Sequence, residues 1–577
     1  MKLIATTIAI MFSMGIAAAQ PVLLHTHEDM CEFHPTLNSH VGEEELSCIE
    51  DIFSSRGHID AVKLLDPKHV PTEQRAPYYP RIKHLRDGRW IMVYQGGNNA
   101  SRVYVIFSDD LKTWYGKQQL WGPQQVNIGG KTQHKRFAFA DILQLKTGEL
   151  VCLASFRCDQ ATQDGQGSGI VMRRSRDCGE HWATSEVIYN QPCAHPNAIE
   201  LPDGRLQCYF SDWRPKADSY SIALIESFDG GYTWGAKRII ARQFKFYKDG
   251  YRSYTDMLPC FRLLNDGKTV FGLVEDLLQP DGPDTKRVYS VSIMRNGTHN
   301  WPAVTGEEDG PATGRESNIF YGRGGYFDVF PSGETIFAAL KEGYLGVKLG
   351  NAAADSFSGK GWESGWFNPF QETGVYGNIN VIDPNRFIYV QDNKNAVYYG
   401  TAWINRSIEA ARSEIVCDGD SREWLKKDAF FIGSVSDVQS VFRAAHDGRN
   451  LYIAIDRKDA SVNSESKVTV SIHNENAKKF AAGSSVILTA GPDGLVSAND
   501  YSKSASADGL QVVTRKAKTR DGEKGYVCEI CIPLSALGAS SGTTLRFNAV
   551  VEGTGLSDGF TNVQAKKPQT WQRIRLQ

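Results

Sequence analysis

Tyr376, Glu275, His195 and Asp141 are residues of this chain whose types and placement suit acid, base or nucleophilic chemistry. A carboxyl group or an imidazole can give or take a proton near neutral pH. A phenol becomes a nucleophile when a neighbouring base removes its proton. Tyr376, His195 and Asp141 stand at matched offsets in a phrase that recurs six times: an apolar stretch, a turn dipeptide ending in Gly or Asn, and a second apolar stretch. The turn residues are Gly88, Gly148, Gly204, Gly267, Gly333 and Asn385. Nine positions before them stand Tyr79, Phe139, His195, Leu258, Gly324 and Tyr376. Seven positions before them stand Arg81, Asp141, Asn197, Cys260, Tyr326 and Asn378.

Side chains two apart on a strand share a face, so these two columns are expected to line one surface. A core face would hold mostly Val, Leu and Ile. Polar groups converging on one axis are costly unless they are solvated or used. Tyr79, Arg81, Asn197, Asp256, Tyr326 and Asn378 are accordingly the expected substrate-binding set, with Arg81 suited to clamp a carboxylate through paired hydrogen bonds. The alternative is a wet polar channel with no chemistry.

The turns recur at roughly the blade spacing of a propeller, about 50 to 65 residues. A propeller gathers the start of every inner strand around one axis, so it would bring these distant residues to one mouth. Strand and turn signals alternate from about residue 75 to 410, without a convincing long amphipathic helix. A second motif, S-x-D-x-G-x-[TH]-W, overlies the first at Ser175–Trp182 and Ser227–Trp234, with a shorter relative at Ser108–Trp114. It reads as a hairpin turn in which Asp accepts turn amides, Gly takes a positive φ and Trp packs beneath. Its aspartates are structural on this reading.

The 577 residues suffice for two or three domains. A hydrophobic content of 41% and a net charge of −2 fit a globular protein, with no basic excess for nucleic acid. Residues 1–19 read as a signal peptide: Lys2, an apolar stretch from Leu3 to Ile16, then Ala17-Ala18-Ala19. No later run is long enough for a membrane span. A secreted or periplasmic location follows as an expectation. Residues 20–70, with His25, His27, His34 and His40, read as a loosely packed lead-in to the propeller; a metal site there is the other reading. Of 11 Cys, Cys31 and Cys48 are the expected pair, and Cys152, Cys208, Cys528 and Cys531 the expected buried thiols. Asn99, Asn296 and Asn405 lie in glycosylation sequons.

The doubled box motif and the repeated L-x-D-G turn resemble the sialidase superfamily over residues 75 to 405. That resemblance implies a six-bladed β-propeller spanning 71–410. The segment Tyr376–Asn385 resembles the last-blade phrase of sialidases, where the Tyr is a nucleophile activated by a Glu, a known exception among glycosidases. Arg81, in Tyr79-Pro80-Arg81-Ile82, stands where those enzymes carry a carboxylate-binding Arg. Leu258 stands where their helper Glu belongs, and Arg287, Arg315 and Arg323 fall at no recognisable clamp position.

Exo-arabinanases, with the same fold, are similar at Ala194-His195-Pro196 and Leu201–Phe210. His195 replaces their acidic Glu, and Glu275 corresponds to their second Glu. Residues 415–577 resemble a carbohydrate-binding module of the family 9 type through Asp418-Gly419, Trp424, Asp447, Leu451-Tyr452 and Glu529–Pro533, implying a β-sandwich.

The expectation is an all-β, monomeric, cofactor-free and metal-free enzyme. It would remove terminal sugars from an oligosaccharide or polysaccharide and have no nucleic-acid partner. Glu275 and Tyr376 would form the catalytic pair, with His195 or Asp141 as proton donor. A non-catalytic glycan-binding propeller, or a lyase-like enzyme using His195 on a uronic-acid linkage, stands as the alternative.

Overall fold

The computed structural model describes residues 22–33, 37, 48–50, 56–64, 77–96, 101–159, 167–214, 219–242, 245–247, 251–253, 256–278, 288–304, 316–355, 366–393, 396–433, 438–499, 509–560 and 564–577. The signal-peptide reading, His34, His40, Asn99, Arg287 and Arg315 lie outside them. No described helix is long and apolar enough to cross a membrane.

Each recurring phrase folds as a β-hairpin on its two apolar stretches; five close on a left-handed glycine, while the sixth turns at Asn385 without a positive φ. Gly88, Gly148, Gly204, Gly267 and Gly333 all take positive φ. Leu145 N–H donates to Glu149 O at 2.8 Å and Gly148 N–H to Leu145 O at 2.8 Å. Leu85, Leu201, Leu264 and Phe330 repeat that geometry.

Among the described residues the hairpins start six antiparallel sheets, with inner strands Tyr78–His84, Lys131–Gln144, Cys193–Glu200, Asp256–Leu263, Arg323–Val329 and Gly377–Val381. Each innermost strand packs against the next, and the last returns to the first, closing a ring. This is the architecture of a β-propeller. The apolar seams between sheets form the core, as where Ile91, Val93 and Val105 of the first sheet meet Ile142 and Cys152 of the second.

The boxes are outer turns. Asp229 Oδ1 accepts from Tyr232 N–H at 3.0 Å and Thr233 N–H at 2.9 Å, and Gly231 N–H donates to Ser227 Oγ at 2.7 Å. Asp177 and Asp110 do the same work. The preceding sheet staples both full boxes: Arg89 Nη2 donates to Cys178 O at 2.9 Å and Arg174 Nη2 to Gly230 O at 2.5 Å.

The described parts of the lead-in are packed rather than loose. Strands Cys48–Glu50 and Gly57–Asp60 both pair with Ala396–Asn405, completing the sixth sheet. Upstream, Leu24 N–H donates to Lys518 O at 2.9 Å and His25 N–H to Asp456 Oδ1 at 3.1 Å. Met30 and Leu37 are fully buried in a patch with Trp403, Phe431 and Val441. Apolar residues in a short irregular segment had somewhere to go: the seam between propeller and C-terminal region. Cys31 is a free thiol there, so it forms no disulfide with Cys48. Cys152, Cys208, Cys528 and Cys531 are buried free thiols.

The C-terminal region is two facing sheets. One is built on Ala429–Ile432, Val438–His446, Asn450–Asp459, Lys524–Pro533 and Gln511–Lys518. The other contains Thr544–Gly553, Lys467–Asn474 and Ser485–Gly491. Residues such as Phe430, Phe442, Ile472 and Phe547 fill the space between. The sandwich begins before residue 415, since Ile408–Ala410 pairs in parallel with Gln572–Leu576. Asn405 is buried, with Nδ2 donating to Phe431 O at 2.8 Å, so its sequon is closed to glycan attachment.

Candidate active site at the mouth of the propeller

In five of the six innermost strands the pairing register slips at one place: after Tyr78, Ala138, Ala194, Met257 and Arg323. The residue at each slip is the one nine positions before the turn, and it is left-handed: Tyr79 (φ 56°), Phe139 (φ 53°), His195 (φ 56°), Leu258 (φ 50°) and Gly324 (φ 59°). A β-bulge frees one residue from the ladder and re-aims its side chain. Here it does so in ring order, around the mouth. The sixth strand has no bulge, and Tyr376 lies just before Gly377–Val381.

Every bulge exposes a backbone N–H that needs an acceptor. The fold meets several of these needs with a second column, about seven positions after each turn, which the sequence reading missed. Gln95 Oε1 accepts from Phe139 N–H at 2.7 Å, Ser211 Oγ from Leu258 N–H at 3.1 Å and Glu275 Oε2 from Gly324 N–H at 2.5 Å. Asp392 accepts three: Tyr79 N–H at 2.6 Å and, on its other oxygen, Tyr376 N–H at 3.0 Å and Val375 N–H at 3.2 Å. Asp392 thereby ties the last sheet to the first.

The two acids of this column are fully buried. Burial pushes the Glu275 carboxyl up to about 7, against the Gly324 N–H and the nearby Arg323 charge, which favour the carboxylate. Burial pushes Asp392 to about 7 as well, against its three N–H donors and Arg81. Arg323 lies within electrostatic reach of both Glu275 and Tyr376, and its Nη2 donates to Tyr289 Oη at 2.7 Å. Burial holds the Tyr376 phenol well above its ordinary value, with Tyr78 and Glu275 adding to the shift. Glu275, Arg323, Tyr289 and Tyr376 thus converge on one side of the mouth. Sequence names Arg323 without placing it at the site and passes over Tyr289 and Asp392; an alignment of the second strands would have found Asp392.

An aromatic wall leads away from Tyr376. Its ring centroid is 5.0 Å from Tyr79, Tyr79 is 5.2 Å from Phe139, and Phe139 is 4.1 Å from His195. His195 Nδ1 lies 3.0 Å from Ser211 Oγ. Burial drops its pKa to about 3, with Arg81 and Arg157 adding repulsion. The imidazole is therefore neutral at physiological pH and does not titrate near neutrality as the sequence reading had it.

The column seven positions before the turn stitches strands together. Asp141 Oδ2 accepts from Asn197 Nδ2 at 2.9 Å and Ala198 N–H at 3.3 Å; Asn197 Oδ1 accepts from Phe261 N–H at 2.8 Å; Asn378 Oδ1 accepts from Ile82 N–H at 3.3 Å. Arg81 lies buried between the rings of Tyr79 and Tyr326, 4.0 and 4.6 Å from their centroids, and donates to Pro80 O and Gly377 O at 3.1 Å. The structure brings Tyr376, Glu275, Tyr79, Tyr326, Arg81 and His195 to the mouth, and turns Asp141, Asn197 and Asn378 into inter-strand ties. Asp256 opens its innermost strand opposite Asp276; its side chain lies outside the described residues.

Among the described residues the cluster with metal-ligating spacing is the exposed Asp177, Glu180 and His181 of an outer turn, far in role from the mouth. In the sandwich, the motif residues form a buried knot: Glu529 accepts from Trp424 Nε1 at 2.8 Å, Asp418 N–H at 2.8 Å and Gly419 N–H at 2.6 Å.

Residues 63–304 match the family described as a BNR repeat-like domain. No curated protein sequence matches the chain. Among solved structures it is similar to an α-L-arabinofuranosidase from Fusarium graminearum, at 14% identity over 62% of this chain and 98% of that one, TM-score 0.42. It is also similar to an α-L-arabinanase from Penicillium chrysogenum, at 16% identity over 60% of this chain and 97% of that one, TM-score 0.40. A sialidase from Streptococcus pneumoniae matches at 12% identity over 60% of this chain and 72% of that one, TM-score 0.42.

Proposed function

We propose, for a chain that carries a BNR repeat-like domain over residues 63–304, that the propeller mouth is the active site of an exported glycoside hydrolase that removes terminal sugars from a glycan. One observation carries the reading. The fold needs only a hydrogen-bond acceptor at the capping position, and Gln95 and Ser211 supply it without charge. A buried carboxyl at Glu275, beside Tyr376 and Arg323, costs desolvation that capping does not require. Its surplus property is proton transfer at neutral pH.

In this mechanism the Glu275 carboxylate accepts the Tyr376 phenolic proton as the phenolic oxygen attacks the anomeric carbon and the glycosidic C–O bond breaks, the departing oxygen taking a proton from solvent at the open side of the mouth. Water entering from that side then attacks the anomeric carbon and loses its proton to solvent. The bond to Tyr376 breaks, and the phenol regains its proton from Glu275. Arg323 steadies the charge on Glu275 and faces an anionic or hydroxyl-rich sugar. The wall of Tyr79, Phe139 and neutral His195 packs the sugar's flat faces and excludes water. Resemblance to the last-blade phrase of sialidases at the Tyr376 segment supports the same chemistry.

Glu275→Gln keeps the cap on Gly324, as Gln95 does for Phe139, and Tyr376→Phe keeps the ring. Both variants are expected to fold, Glu275→Gln at least as stable as wild type near neutral pH, and to lose about 100-fold or more in turnover, the scale of a lost proton-transfer group. The assay is release of monosaccharide from a glycan panel. Wild-type release with unchanged turnover in both variants overturns the site. Saturable glycan binding without release by wild type points instead to a binding propeller.

A further inference from the structure

Deeper along the axis, the same inner faces carry another layer, five positions before each turn: Lys83, Leu143, Ile199, Arg262, Asp328 and Asn380. Lys83 belongs to the first sheet and Arg262 to the fourth, so the two face each other across the ring. Arg262 Nε lies 3.8 Å from Asp328 Oδ1, and its Nη1 donates to Phe261 O at 2.9 Å. Asp328 Oδ2 is already occupied by Asn380 Nδ2 and Val381 N–H, both at 2.7 Å. Asp141 is held by Asn197 and Ala198. Among the described residues the half-buried Lys83 ammonium has no ion-pair partner, while Arg262, Asp328, Asp141 and Cys260 are its electrostatic neighbours. Lys83, Arg262 and Arg81 therefore confront Asp328 and Asp141 on the inner faces of the ring, leaving one positive charge over. Cations facing one another there raise the local potential and draw in an anion.

We propose that the inner end of the channel, between Lys83 and Arg262, binds a small oxyanion, a carboxylate or phosphate, as a site separate from the Glu275–Tyr376 mouth. A guanidinium presents a fork that fits two oxygens of such a group, and an ammonium adds a point charge from the opposite wall. Burial and the Arg262 charge lower the Lys83 pKa, against Asp328, Asp141 and Cys260, which raise it.

Thermal unfolding of the full chain, measured in sodium phosphate, sodium acetate and sodium chloride at matched ionic strength, tests the site. Phosphate, acetate or both should raise the melting temperature saturably, by about 2 to 4 °C at concentrations well above the dissociation constant, where chloride does not. Whichever anion acts identifies the source of the oxygens. Lys83→Met should abolish the saturable rise and melt above wild type in chloride. Isothermal titration of wild type with phosphate and acetate gives an independent answer if the variant fails to fold. No oxyanion-specific rise and no heat of binding, or an equal rise in Lys83→Met, overturns the proposal. The readout is stability, so a negative result on glycans leaves it standing and the reverse also holds.

Discussion

Glu275 holds its proton to about pH 7 in the folded chain, against an ordinary value of 4.5. Between those limits the native state binds more protons than the unfolded state. The stability this group contributes is fully present below pH 4.5 and is lost as the pH rises through about 7. Glu275→Gln removes the titration but keeps the cap. Its stability should therefore gain on wild type by on the order of 3 kcal/mol as the pH climbs from 4.5 to 7, a difference that paired denaturant titrations at each pH will read. A flat difference across that range means that Glu275 is not buried as described. His195 carries the opposite signature: lowered to about 3, it should show no imidazole titration in NMR spectra between pH 5 and 8. A midpoint near 6.5 would remove the dry aromatic wall from the mechanism.

At the scale of elements, the bulges and the box turns put side chains into left-handed backbone, at about 1 to 2 kcal/mol for each non-glycine residue. Tyr79, Phe139, His195 and Leu258 accept that strain at the mouth. In the box turns the need is for glycine. A Cβ on Gly179 would lie 2.5 Å from the Phe107 ring, whereas one on Gly230 meets nothing within 4 Å. Both have positive φ. Gly230→Ala should thus cost about 1 kcal/mol from backbone strain alone. Gly179→Ala should cost about 2 to 4 kcal/mol, since Phe107 sits in the seam between the first two sheets. Chemical denaturation of the two variants will rank them; equal costs would mean the outer turns are not packed on the seam.

The whole molecule closes through its N-terminal residues. Strands Cys48–Glu50 and Gly57–Asp60 cover the edge of Ala396–Asn405, and Met30 brings its sulfur against Arg443, whose guanidinium pairs with the buried Asp456. A chain starting after Leu64 would leave Ala396–Asn405 as a bare edge strand and Arg443 without its cover. Such a truncation should aggregate or melt well below the full chain, by light scattering and calorimetry. A truncated chain with wild-type melting would show that the ring closes without these strands.

The repeat is written in the residue pattern, and the repeat nearly settles the fold. Turn glycines and alternating apolar residues act over a few positions, so the six hairpins and the box turns were legible from local pattern. So was the approach of Tyr79, His195 and Tyr376 to one mouth. Tertiary structure decided what those residues do there. Whether Asp141 is a proton donor or a tie depends on Asn197 and Ala198, one sheet away. Whether His195 titrates depends on its burial beside Arg81. The lead-in looked loose because its partners, Ala396–Asn405 and the sandwich, lie more than 300 residues downstream. Periodicity records which face a residue occupies. Protonation, partners and ring closure are set by neighbours that only the closed ring brings together.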